Sequence, residues 1–151
     1  MRTRSRIVLA ACFASCTTSQ NSSISELRLQ LKPHCGEVTT VVARPNSITR
    51  EFVHNCGGES GQSARELSLD EWRSLERVAN EAAIFELPAE ITPTLYPDGT
   101  ITVTTDDTVV CVGAQIASRS KTVCGGWTAL KLNPASKRLV ALVESLERAA
   151  K

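Results

Sequence analysis

The chain has 151 residues, 42% of them hydrophobic and 22% charged, with 17 basic residues against 16 acidic ones. That length and balance fit one compact domain plus a short leader or tail, and they exclude a chain disordered by composition. No apolar run reaches the roughly 18–20 residues of a bilayer-crossing helix, so any membrane attachment has to be chemical.

The first residues, MRTRSR, set three arginines ahead of the apolar run IVLAACFA. A basic cluster, a short apolar core and small residues in that order are the parts of an export signal, expected over residues 1–15. Two cysteines compete as a lipid acceptor. Leu9-Ala10-Ala11-Cys12 is the better lipobox by residue type, whereas Phe13 is unusual three positions before Cys16. Cleavage before Cys12 leaves only Ile7 to Ala11 as apolar core, shorter than the usual ~7–15 residues, while Cys16 extends it to Ser15. A polar stretch suited to a flexible tether begins directly after Cys16, over residues 16–23, and the domain is expected over 24–151. The reading is therefore lipidation at Cys16, with Cys12 as the alternative and plain cleavage as the third option. Thr17 is not the aspartate that retains many lipoproteins in the inner membrane, so the outer membrane is favoured where the cell has one. Loss of Arg2, Arg4 and Arg6 takes the basic count from 17 to 14 against 16 acidic residues. A nucleic-acid partner, which needs a basic stripe, is not expected.

Leu27, Leu29 and Leu31 alternate with Arg28, Gln30 and Lys32, the period of a half-buried strand. Val38 to Ala43 is β-branched and reads as a second strand; Arg44-Pro45-Asn46-Ser47 is a turn, and Ile48 to Val53 a third strand. Gly57 to Ser63 reads as a loop. Ser68 and Glu71 have capping-box spacing, and Leu67 with Trp72 supplies a hydrophobic staple, so a helix starts at Ser68 or Leu69. Its stripe of Leu69, Trp72, Leu75, Val78, Ala79 and Ala82 runs towards Phe85, before Pro88. Core packing is the reading of Trp72, ahead of a ligand box. Pro97-Asp98-Gly99 marks a turn, Thr100 to Thr105 and Thr108 to Gly113 read as a hairpin about Asp106-Asp107, and a further strand falls at Lys121 to Gly125. Asn133-Pro134 caps a final helix from Ala135 to about Ala149, with Leu139, Leu142, Val143 and Leu146 on one face. The expected fold is α+β: one domain, an antiparallel sheet with two helices on one face, in the order β-β-β-α-β-β-β-α.

Cleavage at Cys16 leaves Cys35, Cys56, Cys111 and Cys124, an even number suited to an oxidising compartment. Four cysteines allow three connectivities, and Cys35–Cys56 with Cys111–Cys124 is preferred because each pair is local. His34 beside Cys35 and His54 near Cys56 raise a metal site, but adjacent strand residues point to opposite faces, so the disulfide is preferred and no metal is expected. Neither histidine lies in a nucleophile motif, and Asp98, Asp106 and Asp107 read as turn residues. No C-x-x-C occurs, and Gly57-Gly58 and Gly125-Gly126 lack the lysine and strand-to-helix setting of a phosphate loop. No catalytic residue and no cofactor are expected.

The run LDEWRSLERVANEAAIFELP from Leu69 to Pro88, followed by Pro97-Asp98-Gly99 and alternating strand residues, resembles the emfourin-like protealysin inhibitors. Similar patterns occur in small envelope lipoproteins. The likeness spans about Leu67 to Ala150 and rests on Ile84-Phe85-Glu86-Leu87-Pro88 and the order of elements. Glu86 stands where that family has aspartate, and the four cysteines and the leader depart from it, so no inhibitory residue is carried over. It implies a small α+β protein whose partner is a protease. The expected function is thus an exported, lipid-anchored, non-enzymatic protein-binding domain, with a structural or accessory envelope lipoprotein as the alternative and an exported hydrolase well behind. A partner site calls for an exposed apolar patch or an edge strand.

Overall fold

A computed structural model of the chain describes residues 23–93 and 106–151. The expected leader, both lipidation candidates Cys12 and Cys16, the Pro97-Asp98-Gly99 turn and the strand at 100–105 lie outside the described residues.

The strands are β1 (Ile24–Lys32), β2 (Glu37–Arg44), β3 (Ser47–His54), β4 (Gly61–Glu66), β5 (Glu90–Ile91), β6 (Val109–Ile116) and β7 (Arg119–Gly126). They form one sheet in the order β4-β3-β2-β1-β6-β7-β5, antiparallel throughout except for β5 beside β7. Three helices accompany it, α1 (Leu69–Glu81), α2 (Trp127–Leu132) and α3 (Lys137–Ala149). The α+β architecture read from the sequence is the one observed.

Alternation in β1 decides which face is covered. Leu27 and Leu29 are fully buried, and the register sets them against Ala43 and Val41 on one side and Ala114 and Val112 on the other. Arg28 and Lys32 point to the opposite, helix-free face and are exposed. From α3, Leu139, Leu142, Val143 and Leu146 are all fully buried against this apolar row, as their spacing on one helix face requires.

Helix α1 starts at the expected place. Ser68 accepts from the Glu71 N–H, and the Glu71 carboxylate accepts from the Ser68 N–H at 2.9 Å. Leu67 and Trp72, the expected staple pair, are both buried. Beyond the helix, Ile84 is buried and Phe85 and Leu87 lie half-buried on the core, closing it over the helix end.

Several expectations are corrected. Residues 57–60 form a loop, but Gly61 to Ser63 belong to β4, which pairs with β3 from Ser47↔Glu66 to Phe52↔Gly61. A short helix, α2, precedes the last one, so the helices number three rather than two among the described residues. Asn133 does cap the segment after it, accepting from the Ala135 N–H at 2.9 Å. That segment is a 3-10 turn over Pro134–Ser136, and α3 itself begins at Lys137. The fully buried Ser136 explains the break, since its hydroxyl donates to the Leu130 and Asn133 carbonyls and joins the two helices. One strand of the hairpin drawn around Asp106-Asp107 lies outside the described residues; the other falls in β6, which forms a hairpin with β7 that turns at Ala117-Ser118. Both edges of β6 are occupied, by β1 and β7.

Candidate functional site

At one end of the sheet, the β1–β2 connection and the β3–β4 loop are joined by the Cys35–Cys56 disulfide. The geometry follows from the hairpin register. Glu37 faces His54, and the Asn55 N–H donates to the Gly36 carbonyl at 3.0 Å, so the ladder runs one pair beyond the strands and Cys35 and Cys56 come opposite each other next. Their Cα atoms lie 5.5 Å apart, within disulfide reach.

Asn55 holds the two loops together. Its Oδ1 accepts from the Gly36 N–H at 2.8 Å, while its Nδ2 donates to the Pro33 and His34 carbonyls at 3.2 Å. The amide thus does for this junction what a side chain does at a cap, satisfying backbone groups the ladder leaves over. Gly36 has φ 128° and Gly58 φ 146°, a region only glycine enters without strain. A Cβ at Gly58 would also stand 2.7 Å from His54 Cγ, so the imidazole packs directly on the loop backbone. His34, Cys35, Asn55 and Cys56 are all exposed. The result is an exposed loop pair whose conformation is set by a disulfide, a side-chain amide and three positive-φ glycines, Gly36, Gly57 and Gly58.

Cys35 and Cys56 spend their sulfurs on each other and are not thiolate ligands. His54 sits opposite Glu37, whose carboxylate accepts from the Thr39 hydroxyl at 2.8 Å and from Arg50. The Thr39 hydrogen bond, followed by Arg50, holds the Glu37 carboxyl below its ordinary value. Among the described residues no group of three or more histidine, cysteine or carboxylate side chains gathers as a metal site. The second pair, Cys111–Cys124, is also bonded and lies across β6 and β7 on the helix-free face, with a Cα separation of 4.1 Å. That short spacing marks an opposed pair that exchanges no backbone hydrogen bonds, where side chains approach most closely.

Asp106 lies in an exposed turn, as read from the sequence. Asp107 does more than turn the chain. Its Oδ2 accepts from the Thr128 N–H at 2.8 Å and so caps α2 from 21 residues away, in place of the cap Gly126 lacks. A Cβ on Gly126 would stand 2.6 Å from that oxygen. Gly126→Ala should therefore displace the cap and cost about 1–2 kcal/mol, measurable as a lowered denaturation midpoint.

Glu71 is the most perturbed carboxylate, pushed down to about 2 by the Arg65 guanidinium and the Ser68 backbone and hydroxyl. Arg65 Nη2 reaches Glu71 Oε1 at 2.8 Å and Arg65 Nε reaches the Ala149 carbonyl at 2.9 Å, so the pair ties β4 to both long helices. A carboxylate whose pKa falls on folding stabilises the native state above its ordinary value of 4.5, and that contribution disappears as pH drops from 4.5 towards 2. Thermal unfolding followed through this window should therefore fall less steeply in Glu71→Gln than in the wild type.

No protein-family model and no curated protein matches the chain. Two intramolecular disulfides in one domain point to an oxidising, non-cytoplasmic setting, and among the described residues no helix is long and apolar enough to cross a membrane.

Asn55 is the residue the sequence reading missed. An asparagine directly before a cysteine, in the segment that must turn away from a strand, is the local signal that could have found it.

Proposed function

We propose that the chain is an exported envelope protein, anchored by a lipid on Cys16, whose domain works by binding another protein and performs no catalysis. The observation that carries this reading is the braced, exposed loop pair around Cys35–Cys56. A loop already fixed before association loses little conformational freedom on binding, so its contacts convert into affinity more fully than those of a mobile loop. Glu37, the carboxylate nearest His54 in the register, is engaged by Thr39 and Arg50, which argues against an acid–base role at that end.

A metalloprotease of the thermolysin-like class is the first partner to test, nominated by the likeness of residues 69–88 to the emfourin-like inhibitors. The purified protein is expected to reduce the activity of at least one member of a panel of such proteases in proportion to its concentration. Full activity across the panel at saturating protein would remove the inhibitor reading. The anchor has its own test, mass spectrometry of the mature N-terminal peptide. A diacylated Cys16 is expected; a diacylated Cys12, or an unmodified new N-terminus, would overturn it.

A further inference from the structure

The two disulfides differ in what an external thiol can reach and in what its attack would release. Cys35 and Cys56 are both exposed and sit just past the open end of the β2–β3 hairpin. Cys111 and Cys124 are half-buried inside β6 and β7. Cys111 pairs with Gln30 of β1 and Cys124 with Glu90 of β5, while Val110↔Gly125 and Val112↔Val123 flank them within the hairpin. Opening the second bond therefore leaves its strands held by the ladder on every side.

Opening the first leaves far less. The loops are then joined by the two hydrogen bonds between Gly36 and Asn55 and by the Asn55 amide on the Pro33 and His34 carbonyls. Gly36, Gly57 and Gly58 all lie at positive φ, and glycine has no side chain to hold such a bend by itself. Exposed disulfides are also the more readily reduced, since an attacking thiolate needs access to a sulfur.

We propose that Cys35–Cys56 is a redox switch of the loop pair, opened in the folded protein by an external dithiol and closed again by an external disulfide. One thiolate of the dithiol attacks a protein sulfur, forming a mixed disulfide and releasing the other cysteine as a thiolate, which takes up a proton. The second thiol of the reagent then gives up its proton and displaces the remaining protein sulfur. Two electrons and two protons pass to the protein, and the reagent leaves as its own disulfide. Closure is the reverse reaction. With the bond open, the loops lose the order that makes them a prepared surface, so the reduced form binds more weakly than the oxidised one. That output rests on the proposed binding role, whereas selective reduction and loop release are properties of the chain alone.

The test uses native full-length protein treated with dithiothreitol, quenched by alkylation at intervals and mapped by peptide mass. Cys35 and Cys56 should be alkylated at least about tenfold faster than Cys111 and Cys124, with the circular dichroism of the fold unchanged. In the selectively reduced protein, amide exchange should quicken at Gly36 and Asn55 by about tenfold more than at Leu29 and Val41, and reoxidation with oxidised glutathione should restore it. Equal reduction of the two bonds, or earlier reduction of Cys111–Cys124, overturns the choice of site. Reduction that proceeds only with loss of the fold overturns the switch. So does unchanged exchange at Gly36 and Asn55 after selective reduction, which would mean that the amide alone holds the loops. None of these measurements needs a partner, so a protease panel without a hit removes the inhibitor reading and not the switch.

Discussion

Trp72→Ala is expected to lose about 3–5 kcal/mol of folding stability, the range for emptying a large aromatic site in a packed core. Trp72 is only 4% exposed and lies in the same buried cluster as Leu75 and Ala79 of its own helix and Leu67 ahead of the cap. Small domains carry a total of about 5–15 kcal/mol, so this single change removes a large share of the stability. Urea titration followed by the fluorescence of the remaining Trp127 measures the loss. A cost below about 1 kcal/mol would mean that the indole is not part of the core.

Removal of the Cys35–Cys56 bridge, as Cys35→Ala with Cys56→Ala, is expected to cost about 3 kcal/mol, the loop-closure entropy for a cross-link of this span. The cysteines are 21 residues apart in sequence and the hairpin between them stays paired, so the loss should fall most on the two loops beyond the last strand pair. Amide exchange should quicken most at Gly36 and Asn55, whose hydrogen bonds to each other depend on those loops staying together, and at Leu29 and Val41 in the sheet centre only as far as the lowered global stability requires. If the loops are the binding surface, protease inhibition weakens in the same variant while its core remains folded. Uniformly faster exchange across the sheet would instead show that the bridge supports the whole domain.

The parts of the fold that were legible in the sequence are those with local causes. The α1 start depends on side chains three residues apart, and the β1 alternation depends on neighbours, so both could be read directly. The cysteine pairing was legible because each bond closes across a hairpin of strands adjacent in the chain, at its open end for Cys35–Cys56 and within it for Cys111–Cys124. Strand β4 was not: GQSARE has no apolar alternation, and its extended shape comes from the backbone of β3 rather than from burial of its own side chains. Helix α2 escaped for a related reason, since its cap is Asp107, which no window around Trp127 contains. The two-residue β5 rests on parallel contact with β7, a long-range pairing without a sequence period of its own.

In the candidate site, the cysteines and histidines drew attention as chemically distinctive residues, and the sulfurs proved to be structural. The residue that arranges the loops, Asn55, is common in turns and makes its bonds to a segment about twenty residues away. Such a role shows only once the two loops are seen side by side.

Each disulfide closes within one half of the chain, across strands that are neighbours in sequence as well as in space. A chain emerging into an oxidising space can therefore form the first bond when the β2–β3 hairpin closes, before α1 or anything after it has arrived. The second needs only β6 and β7. Every wrong pairing would have to link the two halves, across a stretch that includes all of α1, and the native ladders hold the correct thiols together against it. Order of synthesis and order of oxidation then run in the same direction, which lets the domain reach its cross-linked state with little dependence on an enzyme that reshuffles disulfides.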